Sequence, residues 1–112
     1  MITLKRVYET PAASDGYRIL VDRLWPRGLT KEKAKVDLWL KDLGPSTELR
    51  KWFGHDPARW TAFKTKYRQE LKAKKSLLQE IESHAQLGPV TILYGAKNTE
   101  HNEAVVLKEH FD

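Results

Sequence analysis

The sequence predicts an α/β fold: a small single-domain layered sandwich, with a mostly parallel sheet of about four strands flanked by helices. Three observations predict it. Ile19-Leu20-Val21 is apolar on consecutive residues and so on both pleat faces, as in an interior strand covered by helices on both sides. Trp60, Phe63, Tyr67 and Leu71 recur every three or four residues, the stripe of a helix packed against a core. Proline and glycine fall between periodic segments, and no repeat or linker divides the 112 residues, so residues 1–112 read as one domain.

Ile2 to Tyr8 has strand length and rough alternation, and Thr10 to Gly16 supplies turn chemistry. Tyr17 to Leu24 reads as a second strand, ended by the loop Trp25-Pro26-Arg27-Gly28. Thr30 is placed to cap a short helical turn through Lys35, and Val36 to Lys41 resumes an extended pattern around Leu38 and Leu40. Ser46 offers an N-cap for a helix carrying Leu49, Trp52 and Phe53 on one face, with Gly54 as its left-handed stop. Asp56 and Pro57 then open the helix of the aromatic stripe. Ser76 and Gln79 have capping-box spacing, Leu77, Leu78, Ile81 and Ala85 form a buried side, and Gly88-Pro89 ends that helix. Val90 to Tyr94 is a short buried strand. A final helix is expected from about Glu100 to Phe111, capped by Asn98 or Thr99, giving the order β-β-β-α-α-α-β-α.

Composition bounds the function. Twenty Lys and Arg against 15 Asp and Glu give a formal charge of +5, and 40% hydrophobic residues suffice for a core. The mean hydropathy of −0.63 then reflects a charged surface rather than disorder. The longest apolar run, Ala104 to Leu107, is far below the roughly 20 residues that span a bilayer, and Ile2 to Arg6 lacks signal-peptide layout. With no cysteine there is no disulfide, thiol nucleophile or thiolate metal site, and a reducing cytoplasm is the expected location.

In open α/β sheets ligands collect beyond the carboxyl ends of strands, where loops and helix N-termini present backbone N–H groups. Two loops have that position. In the first, Asp22 to Gly28, Arg23 and Arg27 flank a proline-stiffened turn with Trp25 between them, which suits a phosphate gripped by guanidinium and a ring stacked on indole. The bland alternative packs Trp25 inward, solvates Arg27 and pairs Asp22 with Arg23. In the second loop, Tyr94 to Asn102, Lys97 adds charge to the opening of the last helix, and the dipole there favours a neutral His101 able to act as general base. The alternative is a plain capped helix, since Glu100 and Glu103 complement the dipole unaided, and the loop lacks the second glycine and Lys-Ser/Thr pair of a phosphate loop.

Other motifs carry less. His55-Asp56 resembles part of a hydrolytic pair, but the aspartate is needed as a cap and the histidine sits in a tight turn. No nucleophile elbow, dinucleotide fingerprint or zinc-protease helix is present, and four scattered histidines propose no metal or cofactor. Lys64, Arg68 and Lys72 form a basic ridge that would suit nucleic acid, although a solvated charged face explains it equally simply.

The segments Gly16-Tyr17-Arg18-Ile19-Leu20-Val21-Asp22-Arg23-Leu24-Trp25-Pro26-Arg27-Gly28, Asp37-Leu38-Trp39-Leu40-Lys41, Trp52-Phe53-Gly54-His55-Asp56-Pro57 and Leu93-Tyr94-Gly95-Ala96-Lys97 with Glu100-His101-Asn102 resemble the YeaO-like proteins of the domain of unknown function 488 family. The match covers nearly the whole chain. The resemblance implies a small bacterial α/β protein and brings no established activity, cofactor or catalytic residue. Other branches carry cysteine near the last strand and helix start. Tyr94 and Glu100-His101-Asn102 stand there in this chain, which argues against a cysteine-dependent role.

The expectation is therefore one pocket built by Arg23, Trp25 and Arg27 from the first loop and Tyr94, Lys97 and Asn102 from the second. It would bind an anionic, phosphate-bearing small molecule or nucleotide. If chemistry occurs, His101 is the first choice of base and Asp22 the second, with the cations stabilising negative charge. The rivals are a non-enzymatic nucleic-acid binder using Lys64, Arg68 and Lys72, and a small interaction scaffold. Oligomeric state does not follow from the sequence.

Overall fold

A computed structural model describes residues 1–112. Four parallel strands, β1 (Ile2–Arg6), β2 (Tyr17–Leu20), β3 (Leu38–Trp39) and β4 (Val90–Tyr94), form one sheet in the order β1-β4-β2-β3. Five helices surround it: α1 (Lys31–Ala34), α2 (Thr47–Phe53), α3 (Trp60–Leu71), α4 (Lys75–Leu87) and α5 (Glu103–Phe111). The last strand in sequence thus enters the sheet between the first two, and its five residues are all buried.

Strand alternation splits the core. Ile19 of the second strand and Val21 just after it join Val90, Ile92 and Tyr94 of the fourth in the larger core, against Leu49, Phe53, Phe63, Tyr67, Leu78, Ile81 and Leu107 from the helices. Leu20 and Leu93 point to the opposite face, where Val7, Ala34, Trp25, Leu29 and Val36 cover them. Each large side chain so buried contributes about 1.5–3 kcal/mol. Tyr67 is fully buried at the centre of the larger core, and its hydroxyl is satisfied by donating to the Leu43 carbonyl at 2.7 Å.

Several boundaries differ from expectation. β1 stops at Arg6 rather than Tyr8 because the chain turns there, with the Arg6 N–H donating to the Glu9 carboxylate and the Glu9 N–H to the Arg6 carbonyl. β2 ends at Leu20 rather than Leu24, and β3 pairs through only two residues because a 3-10 turn, Lys41–Leu43, follows it. The capping box at Ser76 does not form: α4 begins at Lys75, with Lys74 as an N-cap that contributes no side-chain bond. α5 begins at Glu103, three residues later than expected, because the Asn102 side chain accepts from the Val105 N–H. Thr30, Ser46, Asp56 and Gly54 cap as expected.

Beneath the amino-terminal edge lies a charge cluster for which the sequence gives no signal. Asp15 accepts from Lys5 at 3.0 Å, from Arg18 at 2.5 Å and from the Ala12 N–H at 2.9 Å. The buried Arg18 also donates to the carbonyls of Ala34 and Lys35, so every charge in the cluster has a partner. Burial alone would raise the Asp15 carboxyl, but the Ala12 N–H and the two cations outweigh it and hold its pKa below the ordinary value.

Candidate functional site

With β4 inserted between β1 and β2, the chain leaves three neighbouring strands side by side at the carboxyl edge: Tyr8 follows β1, Asp22 follows β2 and Gly95 follows β4. These segments enclose one cavity of about 540 Å³, completed by Arg50 and Phe53 of α2, Phe63 of α3 and the start of α5. The volume falls within the range of about 300–1,000 Å³ usual for small-molecule sites.

Asp22 is the hinge of the cavity. Its Oδ2 accepts the Gly95 N–H at 2.8 Å, tying the end of β2 to the end of β4. A Cβ on residue 95 would lie 2.8 Å from that same oxygen, so the approach requires glycine. Asp22 Oδ1 is sealed from solvent and receives no donor from the ionised or neutral groups around it. The Glu103 carboxyl, at the first position of α5, also lines the cavity. Burial, then hydrogen bonding to Asp22 and the Asp22 charge, push its pKa well above the ordinary carboxylate value, against the weaker pull of its own backbone N–H. The Asp22 charge beside it therefore favours the protonated form of Glu103.

The basic wall is fixed differently. Arg23 donates through Nε to the Pro45 carbonyl at 3.0 Å and through Nη2 to the Gly44 carbonyl at 2.9 Å, and it lies 3.9 Å from the Asp42 carboxylate. Its guanidinium is therefore tethered to the loop after β3 and not paired with Asp22. Trp25 donates its indole N–H to the Leu29 carbonyl at 2.7 Å and meets Trp39 edge-on at 5.4 Å, which locks the ring while leaving it on the cavity wall. Arg27 is exposed at the rim, with its carbonyl accepting the Tyr8 hydroxyl at 3.0 Å.

Asn98 organises the opposite wall. Its Oδ1 accepts the N–H groups of Glu100 at 2.9 Å and His101 at 3.0 Å, which orients its amide nitrogen toward His101 Nδ1, 3.1 Å away. In that arrangement Nδ1 accepts, so a neutral His101 carries its proton on Nε2 and offers the site a donor. The ring packs edge-on against Trp60 at 5.1 Å.

A family profile described as "Inactive DUF488-N3 subclade" matches residues 1–112. The chain belongs to this DUF488 subclade. The DUF488-N3 chain is 45% identical over 108 residues to the uncharacterised protein YeaO of Escherichia coli, covering 96% of this chain and 94% of YeaO. It is 36% identical over 110 residues to uncharacterised proteins of Mycobacterium tuberculosis and Mycobacterium bovis, covering 96% of this chain and 91% of each. No solved structure matches it.

In this DUF488-N3 chain Asp22, Arg23, Trp25, Arg27, His101 and Asn102 all reach the same cavity. Tyr94 and Lys97 do not. The Tyr94 ring turns into the larger core, and burial, followed by the Glu9 charge, raises its phenol above the ordinary value. Lys97 lies exposed on the loop, away from the cavity wall. His101 and Asn102 precede α5 rather than occupying its first turn, and Asn102 is the cap. Glu103, Arg50 and His55 line the cavity without having been singled out for it. Glu103 follows the helical rule for a first-turn acid, which masks its second role. His55 is held at φ +57° in the turn after α2, consistent with the tight turn expected there, and Asp56 is indeed spent as a cap on the Ala58 N–H. On the basic ridge, Arg68 and Lys64 share Glu109 of α5, at 2.6 and 4.0 Å, and Lys72 remains exposed. No group of three or more His, Asp or Glu side chains is placed to hold a metal ion.

Proposed function

We propose that this DUF488-N3 chain is a binding protein for a small anionic, phosphate-bearing molecule, held at the carboxyl edge of the sheet. One observation carries the reading: two loops more than seventy residues apart share a single cavity, on whose wall stand Arg23, Arg27 and Arg50. A guanidinium retains its charge at any physiological pH and matches phosphate oxygens in pairs. Arg27 and Arg50 are exposed and take part in no ion pair within the chain, so their charge is free for a ligand. The description of the subclade as inactive favours binding over turnover, as does the tautomer that leaves His101 a donor. The nucleic-acid alternative is weaker, because Glu109 already neutralises part of the ridge. No helix is long and apolar enough to cross a membrane, and a cytoplasmic site of action suits a cysteine-free chain.

A thermal-shift screen with inorganic phosphate, pyrophosphate and nucleotides on wild type and Arg27→Ala tests the proposal. A ligand selective for the native state raises Tm by mass action, and a rise lost in the variant supports the site. Equal rises in both proteins remove Arg27 from it, and no rise with any anion defeats the anion-binding reading.

A further inference from the structure

On the premise that the cavity binds an anion, two aromatic rings on its wall specify what that anion is attached to. Tyr8, just after β1, and Trp25, in the loop after β2, both line it. Each ring has already spent its polar proton on the protein: the Tyr8 hydroxyl donates to the Arg27 carbonyl at 3.0 Å, and the Trp25 indole N–H to the Leu29 carbonyl at 2.7 Å. What they still offer a ligand is chiefly π surface. Both rings are supported by the protein. Trp25 packs on the smaller core of Val7, Leu20, Ala34 and Leu93 and is braced edge-on by Trp39. The Arg6 guanidinium lies over the Tyr8 ring, 5.2 Å from its centroid, and is itself tied to the carbonyls of Gly95 and Ala96. A cation covers one face of a ring, and Tyr8 remains 42% exposed. A planar group stacking here meets side chains already ordered, so little of its binding free energy is lost to restraining them.

The cation nearest this aromatic pair is also the one least engaged. Arg27 lies two residues beyond Trp25, and its carbonyl is the acceptor that holds Tyr8, yet its side chain is exposed and in no ion pair. Arg23, by contrast, is taken up by Gly44, Pro45 and Asp42. A nucleobase is the planar group that aromatic walls accept through its π face, and in a nucleotide it comes joined to a phosphate of the kind that guanidinium groups bind.

We infer that the ligand is a nucleotide, with its base stacked on Trp25 and Tyr8 and its phosphate at Arg27 and Arg50. Titration calorimetry with AMP, ribose 5-phosphate and phenyl phosphate tests this. Wild type is expected to bind AMP about five- to a hundredfold more tightly than ribose 5-phosphate, the worth of one stacked base. Trp25→Ala and Tyr8→Ala should each pull that ratio toward one. The ratio is the readout because Tyr8 also holds the Arg27 backbone, and any effect of that tether on the phosphate end falls on both ligands alike. Tyr8→Phe, which loses the tether and keeps the ring, should retain the preference for AMP. Binding of ribose 5-phosphate to the alanine variants shows that they are folded, and should Trp25→Ala fail to fold, Tyr8→Ala decides on its own. A ratio near one in wild type, or a ratio unchanged in both alanine variants, overturns the stacking assignment and leaves the anion site standing. Phenyl phosphate binding as tightly as AMP overturns the nucleotide in favour of a simple aryl phosphate. If wild type binds none of the three, the anion reading fails and the assignment fails with it.

Discussion

Two acidic groups at opposite edges of the same sheet have opposite fates. Asp15, at the amino edge, sits among Lys5, Arg18 and the Ala12 N–H, and it is held ionised. Glu103, at the carboxyl edge beside Asp22, has its pKa pushed well above the ordinary carboxylate value. Burial raises the pKa at both sites; what differs is whether the neighbours complement the charge. A complete cluster fastens the first edge, where the chain passes from β1 through a 3-10 turn into β2. An incomplete one lies at the second, where the buried Asp22 Oδ1 has no partner.

The contrast can be broken most severely at the first edge. Asp15→Ala leaves the buried Arg18 without its carboxylate and should cost about 3 kcal/mol or more, measured as a lower urea midpoint at unchanged slope. A loss below about 1 kcal/mol would mean that Ala34 and Lys35 carbonyls suffice for Arg18. Gly95→Ala tests the tie between β2 and β4: the new methyl would meet Asp22 Oδ2 at 2.8 Å, and a destabilisation of about 1–3 kcal/mol is expected, together with weakened anion binding. An undisturbed Tm would show that Asp22 yields cheaply.

Acidity sharpens the comparison. Because Glu103 keeps its proton to higher pH when folded than when unfolded, its contribution declines as pH rises above the ordinary carboxylate range. Glu103→Gln should therefore stabilise the protein by about 1 kcal/mol at pH 8, and the gain should shrink toward pH 5. A gain independent of pH would mean that the Glu103 pKa is not raised on folding. Asp15 has the reverse sign: its contribution is complete above the ordinary carboxylate range and is lost as pH falls through its depressed folded pKa. The acid limb of the stability profile should accordingly survive in Glu103→Gln and flatten in a variant lacking Asp15. The smallest effect on stability belongs to Arg27→Ala, within about 0.5 kcal/mol, since the side chain is exposed and unpaired.

The fold was legible where local chemistry acts alone. Ser46 and Gly54 bracket α2, Asp56 caps the turn into α3, and Val90–Tyr94 is strand throughout, because caps and apolar runs are properties of adjacent residues. The start of α5 was misread between two local alternatives: Asn102 caps the helix by accepting from the Val105 N–H, while Asn98 accepts within the turn that holds His101. Asp22 and Arg23 illustrate a different limit. Adjacent opposite charges suggest a pair, yet Arg23 is recruited by the carbonyls of Gly44 and Pro45 and Asp22 by the Gly95 N–H.

By itself the sequence determined a one-domain α/β chain, the polarity of its strand ends and the two strand-end loops whose residues line the cavity, since periodicity, caps and turns are written in short windows. Only the tertiary structure decided that β4 lies between β1 and β2, which brings Asp22, Gly95 and Glu103 to one place and leaves Tyr94 and Lys97 out of it. Strand order is set by which apolar faces bury one another across the whole chain. The meeting of two acids is a consequence of that packing, and no spacing within either segment encodes it.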